Sequence, residues 1–411
     1  MRYLFVHQNF PGQYVHFIRH LLTDPTNEVV FISEPNEVEI AGVRRVSYDM
    51  HLVGRPGEPS NTVGYERAAL RADRVAAVGR AIRQLGFTPD IIIGHHGWGE
   101  LLNLQDVWRT TPILGYFEYF YHTSQSDVDF DPEFTVSDRN FAAIRAMNII
   151  NYLALSMDQH GQTPTRFQRD AYPPWARPQI QILPECADLA ACRPDPQAGL
   201  APFTIGDFTV HPGEKLITYV ARNLEPYRGV HIMLRALPAI MAARPDVKVI
   251  MVGGDEVSYG ARIVNTTWRE LFLGQLAGRI DLNRLLMPGQ IGYDIYRRLL
   301  QRSDVHVYLT YPFVASWSLR EALATGCAVI GADVAPVREF ITPGRNGLLT
   351  PALDPDALAQ QVLSLLESPD LTRRLRQGAR RYAEQHLAMP QHIQAFEQRV
   401  TEIVGAGPTR A

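Results

Sequence analysis

Short β-rich runs alternate with longer amphipathic stretches along this chain, and the series runs through twice, which leaves few folds open. In the first half, residues 3–7 (YLFVH), 28–33 (EVVFIS), 90–96 (DIIIGHH), 112–117 (PILGYF) and 180–184 (IQILP) read as strands. Helical patterns lie between several of them, at 13–22, 63–85 and 138–155. Such alternation predicts βαβ units, whose crossovers build a mostly parallel sheet covered by helices. A looser stretch at 186–215, with Pro and Gly concentrated over 190–213, separates this from a second series. There, strands are expected at 216–222, 246–254, 285–289, 304–310, 328–332 and 346–350. Helices are expected at about 229–244, 292–302, 318–326, 355–367, 370–386 and 389–404. Two doubly wound α/β domains follow, and 411 residues are in any case too many for one comfortable core. Ligands of open α/β sheets sit beyond the carboxyl ends of the strands, so two facing domains of this kind would form a ligand cleft.

The composition limits the partners. Residues 1–200 hold 17 arginines and no lysine against 23 acidic groups, and the whole chain carries a net charge of −3. No basic stripe is present, which argues against nucleic acid. Only Lys215 and Lys248 are lysines; the other cations are arginine. No window approaches 18 uninterrupted apolar residues, and the opening MRYLFVHQNFPG reads as a strand and turn, not as a signal peptide. Cys186, Cys192 and Cys327 lack metal or disulfide spacing and read as free thiols of a reducing cytoplasm.

The chemistry-bearing residues fall where strands hand over to helices. In VHQNFPGQY, Gly12 precedes a helix and reads either as a plain turn or as a ligand-facing loop. In YVARNLEPYRGV, Arg222 closes a strand and Arg228 sits at the next helix start beside Gly229. Two guanidiniums there suit a diphosphate, since cations at a helix N-terminus oppose its dipole unless an anion is bound. The alternative is a surface pair bridged to Glu225. SWSLREALATG opens another helix, with Ser316 or Ser318 as N-cap and Glu321 at capping-box spacing from Ser318. GHHGWGE sets His95 and His96 at a strand end, where alternation turns one inward and one outward; polar site residues are favoured over metal ligands for want of a third ligand. Glu118 ends the next strand and could act as acid or base or bind a hydroxyl. The acidic run DVDFD (127–131) reads as a turn-forming loop in preference to a metal–diphosphate site. No GxSxG, HExxH or P-loop is present, so hydrolase and NTPase readings lack their defining parts.

Taken together, ARNLEPYRGVHIMLRAL, VKVIMVGG, LLMPGQIGYDIYRRLLQRSDVHVYLT, SWSLREALATGCAVIGADVAPVREFITPGRNGLLT and a long closing helix resemble a retaining glycosyltransferase of family 4 with the GT-B fold. The likeness covers the second half nearly end to end and extends more loosely to FVHQNFPGQY and ILPECADLAACRP. It implies two Rossmann-like doubly wound domains facing a central cleft: an acceptor-side domain over 1–200, a nucleotide-sugar domain over 201–386, and a helix over 387–411 crossing back to the first.

The resemblance also implies roles. Arg222 and Arg228 would clamp the donor diphosphate, Arg228 standing where the family usually has lysine. Gln290 and Ile291 would offer backbone groups to the nucleobase. Ser316, Trp317, Ser318 and Leu319 would present amides to the distal phosphate, and Glu321 would hold the ribose hydroxyls. The family's first glutamate, eight positions before Glu321, is here Phe313. Gly12 would approach the diphosphate, while His96 and Glu118 would face the reacting centre and the acceptor. The expected activity is metal-independent retaining hexosyl transfer from a nucleoside-diphosphate sugar, UDP by default, to a hydroxyl. The sugar nucleotide is a co-substrate and no cofactor is expected. The acceptor could be a carbohydrate, a lipid-linked group, a small molecule or a protein, with room for peripheral membrane contact through a small patch. Rival readings are a nucleotide-sugar epimerase or hydrolase on the same architecture, and a non-catalytic two-domain solute-binding protein.

Overall fold

A computed structural model describes residues 1–50, 61–157 and 159–406. Its contacts divide the chain into two units: 1–125, 136–185 and 390–411 form one, and 126–135 with 186–389 form the other. The chain therefore changes unit at 185/186, where a boundary at 200 was expected, and ten residues of the first half belong to the second unit.

In the first unit the strands are β1 (Arg2–Val6), β2 (Glu28–Ser33), β3 (Val43–Ser47), β4 (Ile91–His95), β5 (Ile113–Tyr116), β6 (His160–Thr163) and β7 (Ile180–Ile182). They form one parallel sheet in the order β3-β2-β1-β4-β5-β6-β7. Strand order reverses between β1 and β4, the position where doubly wound sheets open a crevice. β1 and β4 are buried on both faces, as continuous apolar strands of a covered parallel sheet should be. The helices are α1 (Val15–Leu21), α2 (Val63–Gln84), α3 (Phe141–Met147), α4 (Ile149–Ser156) and α5 (Arg166–Ala171). The single helix expected over 138–155 is broken at Asn148, whose side-chain amide both donates to and accepts from the backbone of Tyr121.

The second unit begins with a hairpin, β8 (Phe203–Ile205) and β9 (Phe208–Val210), inside the stretch expected to be a linker. Phe203 and Val210 pack on Leu216, Ile250, Val252 and Leu299, so this segment is a lid on the second core. A second parallel sheet follows, of β10 (Lys215–Asn223), β11 (Val247–Gly254), β12 (Leu285–Gly289), β13 (Val305–Tyr308), β14 (Val329–Ala332) and β15 (Leu348–Thr350), in the order β12-β11-β10-β13-β14-β15. Its reversal lies between β10 and β13. Around it stand α6 (Val230–Ala243), α7 (Trp268–Gln275), α8 (Tyr293–Arg302), α9 (Trp317–Thr325), α10 (Ala335–Arg338), α11 (Pro355–Glu367) and α12 (Pro369–His386). The last helix, α13 (Met389–Gly405), packs Phe396, Val400 and Ile403 into the first unit's core beside Phe17 and Leu183. The final residues expected to continue it, 407–411, lie outside the described residues.

Candidate active site

In the second unit, the loops after β10 and β13 meet at the reversal point. Arg228 lies in the turn Pro226–Arg228 between β10 and α6, and its side chain is only 6% exposed. The guanidinium donates to Thr310 Oγ1 at 2.9 Å and to the Val314 carbonyl at 3.3 Å, and stands 5.0 Å over the Tyr259 ring. Both oxygens flank the approach to α9. Burial opposes the charge, but Tyr308 and Tyr259 outweigh it and hold the pKa above the usual arginine value. Among the described residues no carboxylate lies within ion-pair distance of Arg228. A buried cation with only neutral protein partners is expensive unless an anion joins it. Arg222, six residues earlier, is exposed at the end of β10.

Glu225 is not the partner of either arginine. It is fully buried and accepts from three successive backbone amides, Ser258 at 3.0 Å, Tyr259 at 3.2 Å and Gly260 at 3.0 Å. That carboxylate holds the loop which brings Tyr259 over Arg228. The surface ion pair weighed as the alternative is therefore absent, because Glu225 points into the 258–260 turn.

At α9, Ser316 is the N-cap but makes no side-chain capping bond; its amide donates to the Tyr308 hydroxyl at 2.8 Å, and its hydroxyl lies 2.6 Å from that of Ser318. The Leu319 amide closes a turn on the Ser316 carbonyl at 3.3 Å. The capping box expected between Ser318 and Glu321 does not form. Instead Glu321 accepts from the hydroxyls of Tyr293 and Tyr296 on α8, each at 2.8 Å. Burial raises the pKa of Glu321, against the effect of those two bonds. Gln290 is exposed and Ile291 half-buried in the connection between β12 and α8, beside the same tyrosines. Phe313 is buried with Tyr227 and Tyr259, at centroid distances of 5.6 and 4.9 Å, so the position of the missing acid is an aromatic one.

The acidic segment 126–135 also belongs to this unit. Asp131 accepts from His231 Nε2 at 3.0 Å and from the Tyr311 hydroxyl at 2.5 Å, and Glu133 pairs bidentately with Arg235 at 2.6 and 2.7 Å. Asp131, Glu133 and His231 are near enough to share an ion, yet each carboxylate already has strong protein partners.

In the first unit the groups at the β1/β4 reversal are His7, His95 and Glu118. His7 and His95 meet edge to face at 5.4 Å, and His95 Nε2 lies 3.4 Å from Glu118. Burial and the neighbouring His95 lower the pKa of His7 to about 3. Gly12 opens the turn after β1 with a φ of +56°, and a Cβ there would stand 3.2 Å from the His7 ring. Glycine thus fits this turn sterically. The expectation for His96 needs correction. It is fully buried, packs 4.6 Å from Phe117, and fills the space over Gly115, where a Cβ would overlap its ring. Burial holds its pKa at about 3. His95, the last residue of β4, takes the place beside Glu118. Sequence reasoning identified the pair but reversed its two faces. It also missed Tyr293, Tyr296 and Thr310, whose roles come from packing between elements.

Two parallel-sheet units, each with its polar groups gathered at a strand-order reversal, define the GT-B class of fold. A solved sucrose-phosphate synthase from Thermosynechococcus elongatus has a TM-score of 0.74 at 17% identity, over 99% of this chain and all of that one. HepE from Anabaena, solved with UDP and glucose, gives 0.70 at 16% identity over 98% of this chain and 99% of that one. Residues 25–192 match the model for the glycosyl transferase family 4 group, and 205–382 match that for glycosyl transferases group 1. The chain has the GT-B fold, and its two halves are similar to the family 4 group and to group 1 of the glycosyl transferases respectively. A phosphatidyl-myo-inositol mannosyltransferase of Mycolicibacterium smegmatis is 30% identical over 38% of this chain and 37% of its own length. A D-inositol 3-phosphate glycosyltransferase of Streptomyces avermitilis is 27% identical over 42% and 37% respectively. The matched stretch thus spans well under half the length of these curated relatives. Among the described residues, no helix is long and apolar enough to cross a membrane.

Proposed function

We propose that this protein is a retaining hexosyltransferase that moves a sugar from a nucleoside diphosphate, UDP first among the candidates, to a hydroxyl acceptor without a metal ion. The observation that carries the reading is Arg228, a buried guanidinium with neutral protein partners beside the start of α9. It would take one oxygen of the leaving diphosphate, with exposed Arg222 taking another and the first amides of α9 the distal phosphate. Charge developing on the leaving group would then be met by fixed donors in place of a cation. Glu321, presented by Tyr293 and Tyr296, would accept from the ribose hydroxyls. In a retaining transfer a donor phosphate oxygen takes the acceptor proton, and the protein's part is to orient the two partners. HepE was solved with UDP-glucose, which makes that donor the first to try. Three buried free thiols suit the cytoplasmic setting in which sugar nucleotides are made.

Thermal unfolding with UDP, GDP and ADP tests the donor reading, since a ligand of the native state raises the midpoint. A rise is expected with UDP. Arg222→Ala and Glu321→Gln are each expected to weaken UDP about tenfold or more, the usual scale for a lost charged hydrogen bond. A midpoint unmoved by all three nucleotides would sink the reading. Turnover of a nucleotide sugar alone, as fast as with acceptor, would favour a hydrolase instead.

A further inference from the structure

Trp98 is 42% exposed although it sits in one of the most tightly held turns of the first unit. The turn joins β4 to the segment that carries Glu100. Its backbone is pinned at every step: Gly97 N donates to His95 Nδ1 at 2.9 Å, Arg71 donates to the Trp98 carbonyl at 3.0 Å, and Gly99 N donates to the His96 carbonyl at 3.0 Å. Glu100 is fully buried and takes the Gln8 amide at 2.9 Å. Gly99 has a φ of +92°, and a Cβ on it would collide with the Ala68 carbonyl. Only glycine allows the turn to close that far onto α2. The backbone that carries Trp98 is thereby fixed while much of the indole's surface stays in water.

A single exposed aromatic needs no explanation by itself. This one has two further properties. The indole lies nearly parallel to the His95 ring, with centroids 6.3 Å apart and planes at 25°, and the same imidazole reaches Glu118 at 3.4 Å. Trp98 and Glu118 also line one cavity of about 20 Å³ together with Tyr121 and Asn151, room for one water-sized group. An apolar plate on a pinned turn therefore stands next to a carboxylate, at the carboxyl ends of β4 and β5, where an α/β sheet binds its ligands. Small-molecule sites have this composition, an apolar surface with a few fixed polar groups. A six-membered ring bearing hydroxyls presents the matching chemistry: a C–H face for the indole and equatorial hydroxyls for a carboxylate.

We propose that Trp98 and Glu118 form the acceptor subsite, and that the acceptor offers a pyranose or cyclitol ring to it. Trp98 supplies the stacking plate and Glu118 accepts from a ring hydroxyl; His95 positions that carboxylate and backs the indole. The proposal rests on the transferase reading above and adds the class of acceptor to it.

Saturation-transfer NMR on the full chain, with UDP present, tests the subsite using methyl α-D-glucopyranoside, methyl α-D-mannopyranoside and myo-inositol as probes. Ring C–H protons of at least one probe are expected to take up saturation from the wild type. Trp98→Ala is expected to reduce that uptake about fivefold and Trp98→Phe to retain most of it, as loss and retention of a stacking contact require. The UDP-induced rise in melting midpoint is expected to be the same in wild type and Trp98→Ala. No uptake from any probe, or equal uptake by wild type and Trp98→Ala, overturns the subsite while a UDP shift leaves the donor reading intact. Uptake that depends on Trp98 without any UDP shift supports the subsite and sinks the transferase reading.

Discussion

His96 is fully buried, and the consequence is measurable as acid sensitivity. Its pKa is lowered to about 3 by burial, His7 likewise to about 3, and His306 to about 4, from an ordinary value of 6.5. A depressed base favours the neutral form in the fold, so its contribution is complete above 6.5 and is lost as pH falls towards the folded value. Wild-type stability is therefore expected to decline between pH 6.5 and 4, at up to about 1.4 kcal/mol per pH unit for each histidine. His96→Leu is expected to flatten that slope by about one proton while leaving the other two contributions in place. Urea titrations at pH 7.5, 6.0 and 5.0 check this; an unchanged slope would show that His96 is charged in the fold. The same side chain shows why individual site residues were hard to read. Two adjacent histidines at a strand end are visible in the sequence, but their parity depends on the residue at which β4 stops.

At the scale of elements, the strands with continuous apolar runs, β1, β2, β4, β10 and β11, were legible because burial on both faces leaves no polar alternation to confuse them. β3 was not, since Val43–Ser47 carries two arginines at a sheet edge, and β6 reads His-Gly-Gln-Thr. Both are strands by pairing and not by composition. The hairpin β8–β9 hid in a Gly- and Pro-rich stretch for the same reason. Arg222 and Arg228 stood out because they lie at the end of β10 and in the turn after it, and Glu321 because it is a lone acid in the apolar α9; Glu225 did not, because its amide partners lie more than thirty residues away. The segment 126–135 shows how far pairing can override position in the chain. Phe134 packs on His231 and Trp268, at 5.2 and 5.3 Å, and Asp131 joins His231 to Tyr311. Asp131→Ala would leave both partners buried without their acceptor, and a loss of about 3 kcal/mol is expected. Hydrogen exchange of the α6 peptides should quicken accordingly; protection equal to wild type would mean the segment is not part of that unit's stability.

At the scale of the whole chain, α13 completes a core that begins at β1. Phe396, Val400 and Ile403 are each at most 4% exposed, and Phe17 lies 4.4 Å from Phe396. Burying three such side chains contributes on the order of 5–9 kcal/mol, which is as large as the net stability of many domains. A chain ending at Ala388 is therefore expected to lose the fold of the first unit and keep that of the second. Exchange mass spectrometry would show β1, β4 and β5 peptides fully deuterated while β10, β11 and β13 stay protected. Protection of β1 in that fragment would refute the expectation.

The order in which the two units are threaded bears on synthesis. A ribosome delivers β1 to β7 before the second unit, yet the helix that closes their core follows some two hundred residues after β7. At elongation speeds of about 5–20 residues per second, that interval lasts roughly 10–40 s. Throughout it the nascent first unit must shelter Phe17 and its neighbours without their final partner. The second unit, holding residues 126–135 already, has all its parts before the first does. The unit whose strands are made earlier is thus the one whose core is completed later.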